Sequence, residues 1–332
     1  MRFGLALMIF LHHMNLYPGG GGLAVSLFLV LSGFCFSLGY GERVLREDFS
    51  IEQYAKRRMA KFYPIHWFCL LIAILLPWIT GATIQIPIKP LIMNAALLQA
   101  WIPKDSYYFS YNALSWYVSV ALFLALLFPW IYRFIKGLDK RNTIACILAG
   151  LGIYAMFYVC VPNELRHPIL YINPLFRCFD FVAGIGAAYI YKQFNTNETI
   201  RKHPYLIDAT IVIALSVCIG LSALLPLRHM IEELYAVYWI PAMVLIIAIA
   251  MQGDTLLGKI MKNRVVMVLT QSSFSFFMTH QLIIIGMTGE HCGVVESKWD
   301  GLLIFFTVYV VSQLMYYVFE KWLTAKIQQM IR

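Results

Sequence analysis

Apolar runs long enough to cross a bilayer recur along the whole chain, and they leave it few ways to fold. Residues 22–39 hold no charged side chain, and about twenty predominantly apolar residues carry a helix across the hydrocarbon core. In that solvent every backbone N–H and C=O must be bonded within the protein, so successive segments of this kind fold as helices. Ten spans are expected, at about residues 3–17, 22–39, 62–80, 112–134, 143–161, 174–191, 205–226, 236–251, 265–287 and 302–320. The expected fold class is all-α: a polytopic membrane protein with about ten transmembrane helices, forming one transmembrane domain over residues 1–332. Composition agrees, with 61% hydrophobic and 13% charged residues against about 25% charged in soluble domains. The first span is short, which points to a natural N-terminus further upstream. No cleavable leader is expected, because the first apolar run passes into the second without a small-residue cleavage site.

The charges orient the chain. With the N-terminus inside, twenty of the 26 Lys and Arg residues fall on cytoplasmic segments, five on outer ones (Lys89, Lys104, Arg166, Arg228, Lys298), and Arg177 within a span. Every loop obeys that alternation, so the positive-inside bias supports ten spans with both termini cytoplasmic. The same bias accounts for the net charge of +9, and no basic stripe interleaved with exposed aromatics suggests nucleic acid as a partner. Of the seven cysteines, six lie in apolar runs and Cys292 lies alone in a loop. Without a CxxC pair or a Cys/His cluster at zinc spacing, they are expected to be small buried apolar residues, free of disulfide or metal. The longest outer segment, 81–111, contains a semi-apolar stretch at 91–102 that reads as an interfacial or re-entrant helix. The sequon Asn197-Glu198-Thr199 falls on a cytoplasmic loop and is expected to carry no glycan.

Ionisable residues inside a span cost a few kcal/mol and so mark functional candidates. The first span carries His12 and His13. At 100° per residue, Arg2 and His13 are about 20° from alignment and about 16 Å apart along the axis, whereas His12 points about 100° away. A histidine beyond mid-depth can take a proton near neutral pH or can simply hydrogen-bond a neighbouring helix. In the loop before span three, Arg58 and Lys61 are three residues apart and share a helical face. They could grip phosphates or serve only as positive-inside signal and anionic-lipid contact. Arg177 and Asp180 in span six are placed for a same-helix ion pair. His280 lies well inside span nine and Glu320 at the end of span ten, where each could equally brace the helices. Trp116 and Tyr117 open span four, at a depth where interfacial aromatics are expected.

These residues resemble the membrane-bound acyltransferase family 3, over nearly the whole chain and in the family's order. Arg2 and His13 match an arginine and an essential histidine separated by ten residues. The second helix, Val25-Ser26-Leu27-Phe28-Leu29-Val30-Leu31-Ser32-Gly33-Phe34, matches an apolar run ending in Ser-Gly-Phe. Arg58-Met59-Ala60-Lys61-Phe62-Tyr63-Pro64 matches Arg-x-x-Arg three residues before a proline. Pro174, Arg177, Asp180-Phe181 and Gly184 follow, then Ser273 to His280, then Tyr317 with Phe319-Glu320-Lys321. Two positions depart. Lys61 replaces the usual arginine, keeping the charge without the bidentate fork. Ala121 stands where many members have glutamate, so no mechanism can lean on a carboxylate there. No esterase-like domain follows span ten, which resembles the stand-alone form.

The resemblance implies an O-acyltransferase of a bacterial inner or plasma membrane. It would move an acyl group, usually acetyl, from cytoplasmic acyl-CoA to a hydroxyl of a cell-envelope glycan, a lipid-linked intermediate or a related acceptor. No permanently bound cofactor is implied; acyl-CoA is a substrate. Arg58 and Lys61, with Arg2 nearby, would meet the coenzyme's phosphates. His13 would act as general base on the acceptor hydroxyl or carry the acyl group transiently. Ser32 would line the cavity or, through Ser-Gly, make a tight helix contact. Trp116, Tyr117, Arg177, Asp180, His280 and Glu320 would contact the substrate or brace the residues that do. Two other readings fit ten helices with buried histidine and arginine: a transporter or flippase of an envelope precursor, and an acyltransferase-like scaffold that has lost activity.

Overall fold

The computed structural model describes residues 1–17, 19–81, 86–194, 203–224, 234–253, 255–290 and 298–331. Arg201, Lys202, Arg228, Arg332, Cys292 and the sequon at 197–199 lie outside them. The described residues contain helices and no strand. Six helices are individually long and apolar enough to cross a membrane, and two bent pairs raise that number to eight. Each of the ten expected segments contains a helix among its described residues. Two fall short of a full crossing: α1 (Arg2–His13, 12 residues) and α11 (Trp239–Met251, 13 residues).

Local chemistry sets the ends that hydropathy misses. α1 stops at His13 because Asn15 takes a left-handed conformation (φ 54°), which asparagine tolerates. Asn15 N–H then donates to His12 O at 3.0 Å and Leu16 N–H to Leu11 O at 2.9 Å, closing the helix end. α2 follows at Gly20–Val44. α3 (Ile51–Thr80) begins well before the expected span, since Ser50 Oγ accepts the Gln53 N–H and caps it. Arg58 and Lys61 therefore sit on a helix rather than in the loop first assigned to them.

The described residues divide into two compact units. The first comprises Met1–Ala24, Ser50–Phe123 and Val268–Arg332. It holds α1, α3, the short helices α4 (Ile88–Ala95) and α5 (Asp105–Tyr108), and the start of α6 (Ser115–Gly137). Its later part contains α14 (Ser273–Thr288), α15 (Lys298–Met315), a π-helical stretch Tyr316–Leu323, and α16 (Thr324–Met330). α14 is the hub, packed on α1, α3 and α15. Pro64 inside α3 cannot donate to the carbonyl four residues back. The Thr324 hydroxyl lies 3.3 Å from that carbonyl, Ala60 O, and shares its proton between it and Phe319 O at 2.8 Å.

The stretch expected as one helix at 91–102 is broken at Leu97, where φ is 57°. α4 packs against α3, and three α3 side chains take up its final carbonyls. Tyr63 OH donates to Ala96 O (3.0 Å), His66 Nε2 to Asn94 O (2.8 Å) and Trp67 Nε1 to Ala95 O (2.9 Å). Asn94 and Gln99 both donate to Ser115 Oγ, at 3.1 and 3.0 Å. These bonds give the Asn94 and Gln99 amides and one nitrogen of His66 a partner inside the fold, although Asn94 Oδ1, Gln99 Oε1 and His66 Nδ1 have none among the described residues.

The second unit comprises Val25–Phe49 and Leu124–Met267. It holds most of α2, the rest of α6, α7 (Lys140–Cys160), α8 (Asn163–Arg166), α9 (Pro174–Phe194), α10 (Pro204–Ala223), α11, α12 (Leu256–Met261) and the start of α13 (Arg264–Gln271). α9 and α10 pack on α11. The α8 stretch meets α9 at a 48° bend, where Asn173 is extended because a residue before proline disfavours the helical region. α2 and α9 cross without intervening side chains. A Cβ on Gly33 would fall on Phe181 O, and one on Gly184 on Val30 O. α7 exposes nearly its whole surface, Cys146 and Cys160 included, whereas Cys69 and Cys218 are buried. The expectation that all the cysteines of apolar runs are buried fails on α7, because lipid accepts an exposed thiol as readily as a core does.

Candidate active site

The first unit brings two of its intramembrane histidines, His13 and His280, together. His13 ends α1 and His280 lies in the middle of α14. His280 Nε2 stands 3.2 Å from His13 Nδ1, with ring centroids 5.2 Å apart. Each ring also meets a carbonyl of its own helix, His13 Nδ1 with Ile9 O at 3.0 Å and His280 Nδ1 with Phe276 O at 3.2 Å. His280 is fully buried, and Phe10, Phe276 and Phe277 pack against its ring with centroids 6.1–6.2 Å away. His13 is only half-buried and is the more exposed member of the pair.

His12 takes a different course, as the helical wheel predicts. Its ring lies against Gly21, where an added Cβ would meet the imidazole at 2.8 Å. The glycines after α1 let the chain turn back beside His12.

Charged groups gather near the Arg2 end of α1. Glu320, in the π-helical stretch, accepts from Ser275 N–H (3.0 Å) and from Ser275 Oγ–H (2.5 Å) with one carboxylate oxygen. Arg2 and Lys61 both act electrostatically on that carboxylate. Arg58, one turn before Lys61, is buried with its guanidinium 5.4 Å from the centre of the Tyr54 ring. Glu320 had been considered alongside His280 as a possible brace; it pairs with Ser275, while His280 pairs with His13. A π-helical stretch is a local irregularity often found at functional sites.

Trp116 and Tyr117 are buried, at 6% and 7% exposure. The Tyr117 ring contacts Phe277 (5.1 Å), which in turn edges His280. The segment 86–111 bonds to the start of α6 through Asn94, Gln99 and Leu97.

The remaining sequence candidates belong to the second unit. Ser32 Oγ donates to Phe28 O at 2.8 Å within its own helix, and the neighbouring Gly33 makes the close contact with α9. Arg177 and Asp180 form the expected ion pair at 3.4 Å, both buried. Ser26 Oγ accepts from Arg177 Nη2 (3.0 Å), and Trp239 Nε1 donates to Asp180 Oδ1 (3.1 Å). The Tyr171 and Tyr235 rings flank the guanidinium at 5.3 and 4.9 Å. Pairing and hydrogen bonds are what make such a burial tolerable, and they give Arg177 and Asp180 a bracing role.

Sequence reasoning missed Ser275 and the phenylalanine casing of His280. The signal was present: Ser273, Ser275 and Thr279 concentrate hydroxyls in a segment that otherwise reads as lipid-compatible. Among the described residues, no group of three or more His, Cys, Asp or Glu is placed to hold a metal ion.

The geometry sets a half-buried imidazole at one end of a helix whose other end lies near Lys61 and Glu320. Comparison with known proteins identifies the family. A family model described as an acyltransferase domain matches residues 1–312. Acyltransferase MdmB of Streptomyces mycarofaciens is 26% identical over 286 residues, covering 80% of this chain and 68% of that protein. O-acetyltransferase OatA of Staphylococcus aureus is 23% identical over 301 residues, covering 83% of this chain and 48% of its own length, so the chain spans about half of that relative. No solved structure matches. With bilayer-length helices and a family match over nearly its whole length, the chain belongs to the membrane-bound acyltransferase family 3 and is an acyltransferase.

Proposed function

We propose that the protein transfers an acetyl group, or another short acyl group, from cytoplasmic acyl-CoA to a hydroxyl of a cell-envelope glycan or lipid-linked acceptor, in a bacterial plasma membrane. The observation that carries this reading is the His13–His280 pair, with His13 half-buried and His280 enclosed. His13 acts as general base on the attacking hydroxyl or takes the acyl group transiently. Arg58, Lys61 and Arg2 meet the phosphates of the coenzyme, and its long uncharged arm reaches along α1 toward His13. Both termini lie in the cytoplasm on this reading, which puts the Arg2 end of α1 where acyl-CoA is made. The names of the two relatives support the class of reaction, and that of OatA supports acetyl and an oxygen acceptor. Family membership favours an enzyme over the transporter.

The test is incubation of purified protein with acetyl-CoA labelled in the acetyl group. Transfer to an added glycan acceptor, or slow hydrolysis of the thioester without one, is expected. Intact, folded protein that releases no coenzyme A under any acceptor would overturn the reading and favour an inactive scaffold. Orientation is tested separately by labelling a cysteine placed at exposed Lys56, which should react only after the membrane is breached.

A further inference from the structure

Two carbonyl oxygens fix the protons on the histidine pair. A carbonyl only accepts, so the ring nitrogen facing it must donate. His280 Nδ1 faces Phe276 O, and His13 Nδ1 faces Ile9 O. Neutral His280 then carries its proton on Nδ1, and its Nε2, 3.2 Å from His13 Nδ1, is an acceptor. His13 Nδ1–H is shared between Ile9 O and His280 Nε2, and the lone pair of His13 stands on Nε2. The opposite arrangement, with His280 Nε2–H donating to a bare His13 Nδ1, would set two lone pairs against two carbonyl oxygens. Ile9 O alone is a weak clamp, since the helical ladder already engages it. His280 supplies a second acceptor on another helix, encased in phenylalanine rings.

We propose that His280 is a positioning residue: it holds His13 as the Nδ1–H tautomer and aims its bare Nε2 at the reacting atoms. This rests on the reading of His13 as base or acyl carrier and assigns the reacting nitrogen in both. In direct transfer, the acceptor oxygen forms its bond to the thioester carbon as its proton passes to His13 Nε2. The carbon–sulfur bond breaks, and the proton leaves Nε2 for the thiolate of coenzyme A. In the two-step route the Nε2 lone pair itself attacks the thioester carbon and releases the same thiolate; the acceptor oxygen then bonds to the acyl carbon as the carbon–Nε2 bond breaks, and its proton passes to that thiolate. Either route stalls if the Nε2 proton and the Nδ1 lone pair change places.

The experiment is nitrogen NMR of the full chain labelled with ¹⁵N-histidine in lipid nanodiscs, with His13 signals identified by their loss in His13→Ala. The expected spectrum shows neutral His13 protonated on Nδ1 and bare on Nε2. His280→Leu, which removes the acceptor, should mix the tautomers and lower kcat on the order of 10²-fold, the scale on which small misplacements act, with little change in KM. His280→Gln offers a carbonyl oxygen at a similar reach and should restore both the tautomer and most of the rate. An Nε2-protonated His13 in the unaltered protein overturns the proposal, whatever the variants do. So does His280→Leu with an unchanged His13 spectrum, or His280→Gln no better than His280→Leu in both readouts. If His13→Ala instead remains active, the base-or-carrier reading falls, while the tautomer measurement still decides what His280 does to His13.

Discussion

Ser275 binds Glu320 twice: its backbone N–H and its hydroxyl both donate to the same carboxylate oxygen, at 3.0 and 2.5 Å. The pair ties α14 to the π-helical stretch after α15. Hydrogen bonds to a charged group are worth about 1.5–3 kcal/mol each. Glu320→Ala should therefore lower the thermal midpoint of the purified protein measurably, and Ser275→Ala, which spares the backbone donor, should do so by less. Equal midpoints for the two variants and the parent would show that the contact contributes nothing to stability.

His13→Ala should abolish transfer, and His12→Ala should leave appreciable activity. Loss of a general base costs about 10²–10⁴-fold, and more if the residue carries the acyl group. His13 Nδ1 stands 3.2 Å from His280 Nε2, whereas the His12 ring lies against Gly21. Both variants should insert normally, because exchanging an intramembrane histidine for alanine eases insertion. Turnover of acetyl-CoA by matched amounts of each protein decides it. A dead His12→Ala beside an active His13→Ala would reverse the assignment.

For the donor, Lys61→Ala is the cleaner test than Arg58→Ala, since Arg58 is buried against Tyr54 and its loss also disturbs packing. Losing one charge-assisted contact of about 1.5–3 kcal/mol should weaken coenzyme A binding about 10- to 100-fold. Lys61→Arg should bind at least as tightly as the parent, because the guanidinium adds a planar fork. Isothermal titration with coenzyme A reads both. Unchanged affinity in Lys61→Ala and in Arg58→Ala would move the phosphate site elsewhere.

The crossing of α2 and α9 has no room for a methyl group. Gly33→Ala and Gly184→Ala each place a carbon on a backbone oxygen of the other helix. Neither oxygen can swing aside as a side chain would. Overpacking usually costs about 1–3 kcal/mol, occasionally more. Both variants should accumulate poorly or melt early, measured by the folded yield in detergent. Gly39→Ala on the same helix, where an added Cβ meets nothing within 4 Å, is the control.

The sequence was most informative where the bilayer dictates the answer. Run length and intramembrane charge located the long helices and the Arg177–Asp180 pair, because each follows from spacing along one helix, but not the short helices Asn163–Arg166, Leu256–Met261 and Thr324–Met330. Boundaries were harder. Asn15 ends α1 by a backbone conformation that hydropathy does not register, and Ser50 starts α3 amid charges that read as loop. Contacts between distant segments were not legible. His280 was a candidate without a partner, since nothing in the spacing of residues 13 and 280 says that they meet. The donors of Tyr63, His66 and Trp67 are 28–33 residues from their acceptors, and no motif announces them. The burial of Trp116 and Tyr117 was not legible either, since residue type alone cannot foresee a covering segment.

The bond from Thr324 to Ala60 O has a bearing on how the protein is made. The two residues are 264 positions apart, so the ribosome finishes α3 long before it reaches the threonine. Until α16 arrives, the notch at Pro64 is an open polar site in a newborn helix, to be held by water, lipid headgroup or insertion machinery. Closure of that notch is then among the last events of assembly.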